Sequence, residues 1–105
     1  MYTIDENNTI TIVKKDTAYF AILLDDYNLQ DGDILTFTIA KEKESLHPLV
    51  QKELEFSDNL AVIFLSSTDT DLEKGTYYYD IQLTTRDGMV DTIMGGYPTT
   101  KLKIV

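Results

Sequence analysis

The stretch Leu72-Glu73-Lys74-Gly75-Thr76-Tyr77-Tyr78-Tyr79-Asp80-Ile81-Gln82-Leu83 decides how this chain folds. From Thr76 to Thr84 its side chains alternate. Tyr77, Tyr79, Ile81 and Leu83 fall on one side, with Tyr78, Asp80 and Gln82 on the other. A period of two is the geometry of a strand with one buried face. Gly75 ahead of the run is a residue that lets a chain turn sharply, and Arg86-Asp87-Gly88 behind it reads as a tight hairpin turn. Tyrosines suit such a strand, because each joins an apolar ring to a hydroxyl that needs water or a partner.

Working outward, the same alternation recurs between turn signals. Thr9 to Val13 alternates and stops at Lys14-Lys15-Asp16, and Thr17 to Leu24 is rich in aromatic and branched residues. Asp33 to Ala40 sets Leu35, Phe37 and Ile39 against Thr36 and Thr38. Lys41 to Phe56 supports two patterns. Leu46, Leu49, Val50 and Leu54 have helical spacing, whereas Val50, Leu54 and Phe56 fit a strand with Lys52 as the odd member. Pro48 opposes a helix begun at Lys41, so a charged loop to about Leu46 followed by a strand to Phe56 is expected. Leu60 to Leu65 is a continuous apolar run, expected to lie in the core. Met89 to Met94 returns from the hairpin, Gly95-Gly96 breaks or bulges it, and Thr99 to Val105 closes the chain. Seven or eight short antiparallel strands in 105 residues, with no long helix, internal repeat or linker, predict one all-β domain built as a β-sandwich.

The segment Leu72 to Leu83 resembles the corner leading into strand F of immunoglobulin-like and fibronectin-type sandwiches. The resemblance implies that Gly75 supplies the turn between sheets and that Tyr77 or Tyr79 is the corner tyrosine, bonding back to the corner backbone. Lys74 stands where those folds usually carry a proline. From about Val13 onward the order of motifs is similar to the small immunoglobulin-like domains of tailed-phage and prophage structural proteins, including the N-terminal domain of the phage baseplate upper protein family. Lys15-Asp16-Thr17 followed by Phe20 resembles their lysine-glycine-aspartate-threonine opening, without its glycine. Asp33 to Ile39 resembles their threonine-phenylalanine strand. Thr68-Asp69-Thr70 ahead of Gly75 to Leu83 is the nearest likeness, and Asp87-Gly88 with Thr92 to Gly96 resembles their last hairpin. The resemblance implies an immunoglobulin-like fold and a virion or prophage-encoded structural part that works through contacts with protein subunits, either other virion components or itself.

The residues themselves offer little chemistry. There is no cysteine, which removes disulfides, thiolate metal sites and thiol nucleophiles and fits synthesis in a reducing bacterial cytoplasm. His47 is the single histidine, lies beside Pro48 in an expected loop, and has no serine in a nucleophile-elbow context to serve as base for. No cofactor is expected, and no enzyme: a sandwich of this length offers little concavity from which to exclude water. Asp25, Asp26, Asp31 and Asp33 form the best calcium candidate, but their spacing is not that of a helix-loop-helix calcium loop. Aspartates beside glycine are also ordinary turn residues.

Lys and Arg number 9 against 18 Asp and Glu, a net charge of −9. That field repels phosphate backbones and argues against nucleic acid as a partner. No segment has the apolar length of a membrane helix, and Met1 to Asn8 lacks the basic and apolar regions of a secretory signal. Three residues stand out as contact candidates. Tyr78 should point away from the core, where it would anchor a protein partner or, in the alternative reading, a sugar in a carbohydrate-binding or adhesive module. Lys101 and Lys103 should face outward beside inward Leu102 and Ile104, guarding a sheet edge or meeting an acidic subunit.

Overall fold

Alternation along the chain becomes nine strands. The computed structural model describes residues 2–24, 27, 29–42, 48–94 and 100–105. Among them are β1 (Tyr2–Ile4), β2 (Ile10–Ile12), β3 (Ala18–Leu23), β4 (Ile34–Ala40), β5 (Val50–Ser57), β6 (Leu60–Leu65), β7 (Gly75–Thr84), β8 (Val90–Met94) and β9 (Lys101–Ile104). No helix occurs among these residues, and none is therefore long and apolar enough to cross a membrane. The strands form one mixed sheet in the order β1-β2-β9-β7-β4-β5-β6-β3, with β8 also paired to β7.

This sheet curls until it is nearly closed into a barrel. Its two end strands, β1 and β3, meet through a side chain: the Tyr2 hydroxyl donates to the Tyr19 carbonyl at 2.6 Å, and the Tyr2 ring lies 5.3 Å from that of Phe20. The strand β5 makes the sharpest change of partner. Val50 to Leu54 pair with β4, and Glu55 to Ser57 pair with β6. The core fills the inside of the curl. Phe37, Leu35 and Ile39 from β4, Tyr77, Tyr79 and Ile81 from β7, Ile63 and Leu65 from β6, and Ile10, Ile12, Leu102 and Ile104 are all buried. Each such apolar side chain contributes about 2 kcal/mol on leaving water, so the inward parity of the strands that supply them is fixed by the interior.

Two expectations need correcting. The strands are not all antiparallel: β2 runs parallel to β9, pairing Ile10 with Leu102 and Ile12 with Ile104. Bonds from Val105 N–H to the Ile12 carbonyl and from Lys14 N–H to the Val105 carbonyl, each 3.0 Å, prolong that ladder. Among the described residues there are also nine strands, eight on the main path of the sheet and β8 beside β7, one more than the upper expectation. The extra one is β1, whose three residues are too few to show a period. It is held by a turn in which one Asp5 carboxylate oxygen accepts from the Asn7 and Thr9 amides.

The ambiguous stretch resolves in favour of extension at its far end. From Val50 to Ser57 it is strand, with residues 43–47, including His47, outside the described part. Lys52, the member that broke the alternation, does face inward. Its ammonium meets the Asp69 carboxylate at 2.5 Å, and Asp69 in turn accepts from the Ser66 amide while the Ser66 hydroxyl accepts from the Asp69 amide. A charged residue is tolerated at an inward position because it ties β5 to the crossover after β6.

Candidate functional site

The corner residues sit at the head of β7. Gly75 has φ of +154°, a value that residues with a Cβ rarely adopt. Two residues on, the Tyr77 hydroxyl donates to the Glu73 carbonyl at 2.6 Å, and the Lys41 ammonium lies 4.6 Å above the Tyr77 ring. Burial, with the Glu73 charge adding to it, pushes the Tyr77 hydroxyl's pKa up. Tyr79 is bound differently: its hydroxyl donates to the Asn8 carbonyl at 2.5 Å, a partner 71 residues away. Burial, again with a nearby charge (Asp5) adding to it, pushes Tyr79 up to about 12. Both rings are buried, and the Tyr79 ring packs tilted against that of Phe37 with centroids 5.5 Å apart.

On the outward side of β7, Tyr78 is half-buried rather than free. Its neighbours across the strands are Ala40 on β4 and Lys101 on β9. Lys101 and Lys103 are exposed and alternate with buried Leu102 and Ile104. They do not guard an edge, however, because β9 is flanked by β2 on one side and β7 on the other. The two outward lysines read as an edge guard, but the parallel pairing with β2 makes the strand interior. Asp80, two residues beyond Tyr78, keeps one carboxylate oxygen buried without a hydrogen-bond partner, and burial raises its pKa.

Of the calcium candidates, Asp25 and Asp26 lie outside the described residues. Asp33 accepts from the Gln30 amide at 2.8 Å, closing a local turn. The Asp31 carbonyl accepts from the Arg86 guanidinium at 2.6 Å. Among the described residues no three His, Cys, Asp or Glu side chains gather in a way that could hold a metal ion.

The feature that sequence reasoning missed lies on the outside of β3 and β6. These strands pair antiparallel, matching Tyr19 with Phe64, Ala21 with Val62 and Leu23 with Leu60. All six side chains are apolar and all point away from the core. Tyr19 is 63% exposed, Leu23 62%, Phe64 49% and Leu60 44%, which makes them one continuous strip and not scattered surface residues. The Tyr19 and Phe64 rings meet edge to face with centroids 6.4 Å apart. Leu60 to Leu65, expected to lie in the core, buries Ala61, Ile63 and Leu65 there and turns Leu60, Val62 and Phe64 outward. The signal was available. A strand shows alternate residues to opposite faces, so a run apolar at both parities must expose half of itself unless something covers it. Thr17 to Leu24 carries the same signal.

Carboxylates border the strip. Glu55 on β5 lies beside Val62 and Asp58 stands in the turn before Leu60, both exposed; Glu53, also exposed, lies on the part of β5 that pairs with β4. No outward side chain on β3, β5 or β6 is cationic, since Lys52 faces in toward Asp69. Comparison with known proteins finds no matching family model, no matching curated protein and no matching solved structure.

Proposed function

We propose that this chain is an immunoglobulin-like β-sandwich acting as a non-enzymatic assembly module, a tail- or baseplate-associated structural part of a phage or prophage that works by protein–protein contact. The sandwich reading is supported by the way β5 divides its pairing. It leaves β3, β6 and the end of β5 as one layer, and β2, β9, β7, β4 and the start of β5 as the other. The immunoglobulin-like reading is supported by Tyr77, which follows a positive-φ glycine and bonds back four residues to Glu73, the arrangement of a tyrosine corner. The phage assignment rests on the likeness of motifs alone.

One observation carries the contact function: the exposed strip Tyr19, Leu23, Leu60 and Phe64. Contiguous exposed apolar surface costs solubility and marks sites that something covers. The glycan reading depends on Tyr78, which is half-buried and offers less ring face than Tyr19 with Phe64, so protein contact is the better reading.

The test is the composition of particles released by the source bacterium, analysed by mass spectrometry. The wild-type chain should be found in purified particles. A Tyr19→Ser, Phe64→Ser double variant should accumulate folded in the cell and be missing from them. Particles that never contain the chain, or that retain the double variant undiminished, sink the proposal. Glycan binding that disappears on Tyr78→Ala would put the carbohydrate module in its place.

A further inference from the structure

We infer that the strip on β3 and β6 docks a cationic partner protein, one whose contact surface is apolar at its centre and flanked by lysine or arginine. The inference deepens the contact reading above and rests on it. Two properties of the same surface carry it. The centre is a six-residue apolar ladder with two aromatic rings in contact, the kind of cluster that dominates binding when a partner excludes water from it. The border on the β5 side is acidic. Glu55 and Asp58 are exposed there, and no outward side chain on β3, β5 or β6 is a cation that offsets them; the exposed Lys15 lies at the other end, in the turn before β3.

Charge selects the occupant. When the apolar centre is covered, the bordering carboxylates lose part of their water, which is costly unless opposite charge arrives with the partner. A second copy docked strip to strip does not bring it: each copy carries −9, and the carboxylates beside one strip would meet those beside the other. A partner with Lys or Arg around an apolar patch satisfies both requirements. The overall negative field also draws such a partner in, raising the association rate at low salt.

The experiment uses two synthetic extended peptides on the intact chain, one alternating isoleucine with lysine and the other isoleucine with glutamate. Binding is followed by backbone amide shifts in NMR and by fluorescence anisotropy. The lysine peptide should shift residues of β3 and β6 and bind at least about tenfold tighter than the glutamate peptide, with the preference shrinking as salt rises. Phe64→Ser should abolish the shifts, and Glu55→Gln with Asp58→Asn should lower affinity while leaving the same residues shifted. Equal binding of both peptides at the strip overturns the cationic partner and leaves the contact reading intact. Lysine-peptide binding that survives Phe64→Ser overturns the inference as well, since charge alone would then account for it. Dimerisation of the wild-type chain that Phe64→Ser abolishes makes a second copy the occupant and overturns the inference. Neither peptide touching the strip, together with a monomeric wild type, overturns both the inference and the contact reading.

Discussion

Tyr77 and Tyr79 differ by two positions, share an inward face, and do different work. Tyr77 makes a short-range bond that holds the corner, whereas Tyr79 reaches across to the β1–β2 turn at Asn8. Burial, with the Asp5 charge adding to it, gives Tyr79 a titration signature. An unfolded tyrosine releases its proton near pH 10, and the folded Tyr79 near 12. Between those values the unfolded state holds fewer protons, so stability falls as pH rises across that window and is unaffected by this residue below it. Chemical denaturation of wild type and Tyr79→Phe over that range should show a steeper decline for wild type. Parallel profiles would mean that Tyr79 ionises freely in the folded state. At this scale the sequence was informative about side: it placed both rings inward and left the corner tyrosine open between them. It could not say which hydroxyl bonds locally, because that depends on where Asn8 comes to rest, a position set by pairing far away in the chain.

Elements were legible wherever a run was long enough to display its period. The strands from β3 to β7 alternate in burial, and β1 was lost because three residues carry no period. Lys52 shows how a local exception gains its reason from another element. Burial alone would raise the pKa of Asp69; hydrogen bonds from Lys52 and from the Ser66 amide and hydroxyl, with the Lys52 charge, outweigh it and hold the carboxyl below its usual 3.8. A group lowered in this way stabilises the fold above the unfolded value and loses that contribution as pH falls through the folded one. Lys52→Met, which keeps the inward stem and removes the charge, should therefore cost about 1 kcal/mol at neutral pH, a figure kept small by the pair's partial exposure. The gap between variant and wild type in urea midpoint should narrow once pH drops well below 3.8. A gap that stays constant into acid would assign the loss to packing instead. The outward halves of β3 and β6 teach the complementary lesson: apolar content was read as depth, although parity already required that alternate residues face out.

For the molecule as a whole, strand spacing indicated an all-β chain but left its topology open. The order of strands depends on contacts between residues such as Ile12 and Ile104, nearly the full chain apart, which no local pattern encodes. That contact has a mechanical meaning. Tension entering the chain ahead of β2 and leaving it after β9 pulls two parallel neighbours in opposite directions, so their cross-links are loaded side by side and must break together instead of peeling one at a time. Single-molecule stretching should give a high rupture force that drops sharply when Ile12→Pro deletes a rung. A low, unzipping-like trace from the unaltered chain would contradict this. A link of that kind can transmit load between two anchors without opening.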